Sequence, residues 1–197
     1  SFIPVRSKEV TWNNTINISY NTNKIHDERF SLPIGELGKN QIYDGYPQDY
    51  LFSYKFAGLD NTGQTLIEDP KQPGRILNVS EFQYFDIMEY SGRTASPYYG
   101  AYSSSISYKQ FSFGFQFQYA FGGVFRKPSV TENSVYVSRA GDLGMRWRKP
   151  GDELFTNVPT INTDFNQGYY YANSIIRYSE SDYLIRSGSN IKLKQIN

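Results

Sequence analysis

Cysteine is absent from the 197 residues, which excludes a disulfide framework, a thiolate metal centre and a cysteine nucleophile. Histidine occurs once, as His26, with Asp27 and Glu28 directly after it. Consecutive loop residues do not converge on a metal, so this triplet reads as a solvated loop. No stretch approaches the roughly 18 to 20 apolar residues of a membrane helix, so helical spanning is excluded. Strands are not, because a β-strand crosses a bilayer in about 9 to 11 tilted residues and alternation hides it from hydropathy averaging. Charge of one sign is also missing: 20 Lys and Arg face 19 Asp and Glu, net +1, spread along the chain without a nucleic-acid footprint. The run RWRK, Arg146 to Lys149, reads as a loop. The opening SFIPVRSKEVTW has no charged region followed by an apolar core, so no signal peptide is expected in it.

Catalytic signatures are missing too. There is no GxSxG, HExxH or P-loop pattern, and no cofactor motif. DNTG, Asp60 to Gly63, has the start of a calcium loop but not its later ligands or its Glu, and reads as a turn. Asp142, Asp152 and Glu153 share a Gly- and Pro-rich loop, with no spacing that would fix a glycosidase pair about 5 to 10 Å apart. The Asn-x-Ser/Thr triplets at Asn13, Asn17 and Asn78 suit a polar strand face better than glycan attachment. An enzyme is therefore not expected.

What the chain has is rings. Aromatics make up 17% of it, within a hydrophobic total of 39%. In FSFGFQFQYAF, Phe111 to Phe121, every odd position is aromatic and every even one small or polar. Strict period-two alternation over such a length is one β-strand with two unlike faces. VTWNNTINISYN repeats the design: Val10, Trp12, Ile16, Ile18 and Tyr20 share a parity that only Asn14 breaks, against Thr, Asn and Ser. YLFSYKF sets Tyr50, Phe52, Tyr54 and Phe56 on one side, and NIKLK sets Ile191 and Leu193 against Lys192 and Lys194.

The segment AYSSSISY, before the ring-rich strand, alternates as well. A two-residue turn at Lys109-Gln110 pairs Tyr108 with Phe111, Ile106 with Phe113, Ser104 with Phe115 and Tyr102 with Phe117, and puts both apolar sets on one face. A slip of one residue would set rings beside serines, so this register is specified by the pattern. Lys-Gln is not a favoured type I′ pair. Loop-like segments separate the strands at His26 to Pro47, Asn61 to Val79 and Gly122 to about Ser187. One tight turn beside several long loops is the asymmetry of an outer-membrane barrel.

A half-buried strand of a soluble sandwich alternates too. Three features favour lipid: rings in place of aliphatics, Tyr near strand ends, and an opposite face of Ser, Gln, Asn and Thr suited to a watery lumen. Several segments, in this order, resemble the SusC/RagA branch of TonB-dependent outer-membrane transporters. They are WNNTINISYNTNKI (Trp12 to Ile25), YLFSYKFAGLDNTGQ (Tyr50 to Gln64), SPYYGAYSSSISYKQFSFGFQFQYAFGG (Ser96 to Gly123), WRKPGDE (Trp147 to Glu153) and SESDYLIRSGSNIKLKQIN (Ser179 to Asn197). No plug, TonB-contacting segment or aromatic-ended last strand matches.

The resemblance implies an all-β fold, an antiparallel transmembrane barrel segment with long extracellular loops, residues 1–197 forming part of one receptor barrel domain. Some five to seven strands are legible, whereas a plugged transporter closes with about 22 and the smallest outer-membrane barrel with about eight. Too few strands leave open edges in hydrocarbon, so the chain is expected to be stable only within a larger assembly. The resemblance further implies TonB-driven uptake of an oligosaccharide or peptide across a Gram-negative, Bacteroidetes-like outer membrane, with a SusD-like surface lipoprotein as lid and the TonB complex below. Trp147, Pro150, Gly151 and Asp152 are the expected lid- or substrate-contacting residues. Two other readings stay open: a soluble carbohydrate-binding β-sandwich and a small outer-membrane barrel acting as adhesin or enzyme.

Overall fold

The computed structural model describes residues 1–7, 9–26, 43–78, 87–131, 141–161 and 168–197. Its largest element is an antiparallel sheet of five strands: β1 (Phe2–Arg6), β2 (Val10–Tyr20), β8 (Tyr98–Tyr108), β9 (Phe111–Phe121) and β12 (Asn190–Ile196), in the order β1-β2-β8-β9-β12. The sheet does not close on itself, and β1 and β12 are its edges. The β8–β9 register is the one the alternation predicts, with Tyr108 opposite Phe111, Ile106 opposite Phe113, Ser104 opposite Phe115 and Tyr102 opposite Phe117. Lys109 takes the turn with φ of 53°, the left-handed value that the first central position of a two-residue hairpin requires. Its N–H bonds the Glu9 carbonyl (3.0 Å), tying this turn to the β1–β2 connection.

β12 contains one irregularity that its sequence needs. Lys192 faces Gln118 and Leu193 faces Phe117, but Gln195 faces Gln116 and Ile196 faces Phe115, so one residue is inserted between the two sets. Strict alternation would turn Ile196 to the side of Lys192. The bulge restores parity, so Ile191, Leu193 and Ile196 all stay with the rings.

The β1–β2 connection and the turn at 109–110 lie at one end of the sheet. The long segments 21–97 and 122–189 leave from the other end. Their described residues are not all irregular, contrary to their composition. They fold into β3 (Tyr50–Ser53) with β7 (Glu89–Arg93), a three-stranded sheet of β4 (Lys55–Leu59), β5 (Thr65–Glu68) and β6 (Ile76–Leu77), and β10 (Val124–Arg126) with β11 (Ile185–Ser187). The helix α1 (Gly168–Ser179) lies against β5, where the Ser174 hydroxyl accepts from the Thr65 N–H (2.7 Å).

Two small cores hold this cap together: Tyr54, Ile67, Leu77 and Ile87, and Val130, Val158, Tyr178 and Leu184. YLFSYKF therefore supplies β3 and β4 of the cap rather than a strand of the wall. Burial pushes the Tyr178 hydroxyl up to about 12, and that hydroxyl shares a hydrogen bond with Ser129 Oγ (3.1 Å). Among the described residues no helix is long and apolar enough to cross a membrane, which says nothing of strands.

Candidate functional site

The wall presents two faces of opposite chemistry. On one, cross-strand rows run Val10–Tyr108–Phe111, Trp12–Ile106–Phe113, Asn14–Ser104–Phe115–Ile196, Ile16–Tyr102–Phe117–Leu193, Ile18–Gly100–Tyr119–Ile191 and Tyr20–Tyr98–Phe121. Much of this apolar surface is open, Ile18 by 76% and Phe111 by 71%. An apolar face this extensive is not left bare in water. From the Tyr98 row to the Tyr108 row the strand runs about 34 Å, which a tilt of about 40 to 45° converts to about 25 Å of height, the apolar band of an outer-membrane barrel. Tyrosines mark both margins, Tyr20 and Tyr98 at one (ring centroids 4.8 Å apart) and Tyr108 at the other.

The one polar row on this face is sealed by its neighbours. Asn14 is only 1% exposed; its Oδ1 accepts from Tyr102 Oη (2.7 Å), and Ser104 Oγ accepts from Trp12 Nε1 (2.9 Å). Thus the residue that breaks the alternation is covered by rings rather than presented. Higher up, Tyr119 lies across Gly100 to donate to the Asn17 carbonyl (2.7 Å). A Cβ on Gly100 would run into the Asn17 carbonyl oxygen and come within 2.7 Å of Tyr119 Cζ, so the close approach needs glycine.

The opposite face is polar. One hollow is lined by Asn13, Thr15, Ser103, Ser105, Gln116, Gln195 and Asn197, and a second by Asn17, Ser19, Tyr99, Ala101, Gln118, Lys192 and Lys194. Asn13 and Asn17 thus belong to this polar surface.

A brace joins wall to cap. Arg93 donates from Nε and Nη2 to the Asp49 carboxylate (3.1 and 2.9 Å) and from Nη1 to the carbonyl of Asn21, just past the end of β2 (3.0 Å). Burial pushes Asp49 up, but Arg93 and the Ala95 N–H outweigh it and hold the carboxyl below its ordinary 3.8.

Trp147, Pro150, Gly151 and Asp152 come together in one loop, 141–161, on the cap. The Trp147 indole lies on Gly63, where a Cβ would meet Trp147 Cγ at 2.7 Å, and its Nε1 donates to Glu153 Oε2 (2.9 Å). That bond, aided by the Gly151 N–H (2.8 Å), holds Glu153 below the usual carboxylate range. Asp152 Oδ2 accepts from the N–H groups of Arg148 and Lys149 (3.0 and 3.2 Å), while Gly151 adopts φ of 101°. Asp142 is held elsewhere, by Ser129 Oγ (2.7 Å) and Lys127 Nζ (3.2 Å), which lower it in that order. The large apolar side chains this braced loop offers to solvent are Met145, 61% exposed, and the adjacent pair Leu154, 78% exposed, and Phe155, 89% exposed. Sequence reasoning passed over this pair, although its place after Pro-Gly-Asp-Glu in a polar loop was the available signal.

Asp60 Oδ1 accepts from Thr62 N, Thr62 Oγ1 and Gln64 N (2.8, 2.7 and 2.9 Å), so DNTG is a side-chain-capped turn between β4 and β5. Asp27 and Glu28 lie outside the described residues. Among the described residues, no three His, Cys, Asp or Glu side chains gather in a way that could hold a metal.

An open antiparallel wall with a ring-covered face, a polar face, tight turns at one end and a folded cap at the other has the architecture of a segment of a large antiparallel β-barrel. Solved chains of that fold include one described as the RagAB peptide transporter, which matches with a TM-score of 0.71 at 21% identity over 98% of this chain. Another, the RagAB peptide importer in the "open-open" state, matches with a TM-score of 0.67 at 18% identity, again over 98% of this chain. This chain spans about a fifth of the length of those chains (21% and 20%). No protein-family model matches the sequence, and no curated protein does. The resemblance to a SusC/RagA barrel segment is thus borne out at the level of fold.

Proposed function

We propose that the chain is a wall-and-cap segment of an outer-membrane importer of the SusC/RagA kind, non-enzymatic and energised through TonB, which carries peptides or oligosaccharides inward. The observation that carries this reading is the division of one sheet into a lipid-suited face of rings and a lumen-suited face of amides and hydroxyls. The match along almost the whole chain to RagAB structures supports it. In this reading β1 and β12 pair with further strands of the same barrel, because an open edge in hydrocarbon leaves backbone groups unsatisfied.

The cap faces outward, where a SusD-like lipoprotein would close the barrel in a Bacteroidetes-like outer membrane. Trp147, Pro150, Gly151 and Asp152 shape the 141–161 loop, and Leu154 and Phe155 are the side chains it would press on the lid or the substrate. The test is uptake of a fluorescent oligopeptide or oligosaccharide by cells making the intact polypeptide, with and without a protonophore. Uptake that needs the polypeptide and stops with the protonophore is expected. Uptake indifferent to both contradicts the proposal.

A further inference from the structure

The polar face carries no charge on β2, β8 or β9. Arg6, opposite Thr11, stands at the turn end of β1. Further up the wall the charges are Lys192 and Lys194, both lining the second hollow. At the level of Lys192 the row across the wall is Asn17–Ala101–Gln118–Lys192. Ala101 and the neighbouring Ala120 are short, so the hollow has a low floor between two amides and two ammonium groups. Neither lysine has a hydrogen bond or ion pair among the described residues. Two like charges on one strand face repel, an arrangement that becomes favourable when an anion meets them. A lumen wall of low dielectric focuses that field on whatever passes.

We propose that this hollow is a carboxylate-binding subsite and that the cargo it selects is an acidic oligopeptide; this rests on the import reading above. Lys192 and Lys194 hold the carboxylate, while Asn17 and Gln118, which both donate and accept, match the peptide group beside it. A peptide fits better than an acidic sugar because, among the described residues, the rings bordering this hollow are Tyr99 and Tyr119, and Tyr119 is engaged with the Asn17 carbonyl, where sugar recognition would want a platform of several free rings. The bulge in β12 serves the same end: it keeps the apolar residues of the strand with the rings while Lys192, Lys194 and Gln195 all line the lumen hollows.

The test uses the intact polypeptide, purified in detergent and checked for folding by its heat-dependent mobility on a gel. Three probes are titrated: a Glu-containing hexapeptide, its Gln counterpart with an amidated end, and an oligogalacturonate. The wild type should bind the Glu peptide about ten-fold more tightly than the Gln peptide. Lys192→Gln with Lys194→Gln should bring that ratio close to one with Gln-peptide binding unchanged, and Lys192→Glu with Lys194→Glu should shift preference to a Lys-containing peptide.

A wild-type ratio of one, with both peptides bound, overturns the subsite and leaves import standing. Equal loss of both peptides in the Gln variant also overturns it, since the lysines would then pair with acidic groups of the next strand. Tighter binding of the oligogalacturonate overturns the choice of peptide. Binding of none of the three overturns the import reading as well.

Discussion

Ile16→Arg separates a lipid-facing wall from a water-facing one. Ile16 sits mid-strand on β2, in the row Ile16–Tyr102–Phe117–Leu193, and is 49% exposed. Giving up its remaining contacts costs about 1 kcal/mol, half the value of a fully buried Ile. If that face meets water, the guanidinium adds almost nothing. If it meets hydrocarbon near the midplane, the charge adds about 2–4 kcal/mol. Phe111→Arg is the internal control, because Phe111 is on the same face but beside the tight turn, where an arginine costs about 0–1 kcal/mol. The lipid reading therefore predicts that Ile16→Arg is worse than Phe111→Arg by about 2–3 kcal/mol, and the water reading predicts a difference under about 1 kcal/mol. Denaturant-dependent folding of the intact polypeptide into lipid vesicles measures both. Equal, small losses would refute the assignment of the ring face to lipid.

Other predictions follow from the same contacts. Gly100→Ala sets a methyl against the Asn17 carbonyl as well as the Tyr119 ring, breaks the bond between them and should cost about 1–3 kcal/mol, read in the same folding assay. Gly63→Ala, at φ of 77° under the Trp147 indole, combines left-handed strain of about 1–2 kcal/mol with loss of the ring's seat. Cleavage by protease within 141–161 should rise in that variant, and an unchanged cleavage pattern would count against the brace.

The Asp49–Arg93 brace has a definite acid response. The folded carboxyl sits below 3.8, so its contribution is complete above that value and is lost as pH falls through the lower, folded one. Faster hydrogen exchange at Thr94 and Ala95 in strong acid is expected in the wild type, and Asp49→Asn should show it already at neutral pH.

The wall was legible because its faces are so unlike. FSFGFQFQYAF and its serine-rich partner fix strand, register and turn together, since any slip mixes rings with serines. The bulge in β12 was latent in IKLKQI, where Ile196 breaks the parity set by Ile191 and Leu193. The cap was not legible, for a physical reason. Its strands run only two to five residues, too short for a period to emerge.

The helix was hidden similarly. GYYYANSIIRYS is rich in aromatic and β-branched residues that favour helix poorly, and tertiary clamps such as Ser174 on Thr65 fix it in place. Tyr50 to Phe56 misled in the opposite direction: its alternation is real, but it buries Tyr54 in a cap core instead of facing lipid. In the 141–161 loop the grouping of Trp147, Gly151 and Asp152 was readable from PGD. Which side chains the loop would hold outward depends on the Trp147–Gly63 contact, made across a long stretch of chain that sequence spacing cannot show.

The central claim is that one face of this sheet meets lipid and the other water. These 197 residues hold no cysteine, so once any cysteine elsewhere in the intact polypeptide is replaced by serine, single cysteines can be placed from Ser112 to Ala120 and spin-labelled in lipid vesicles. The account predicts period-two accessibility: oxygen dissolved in lipid reaches labels at 113, 115, 117 and 119, and a water-soluble paramagnet reaches those at 112, 114, 116, 118 and 120. A water-soluble paramagnet that reaches both sets equally would contradict it.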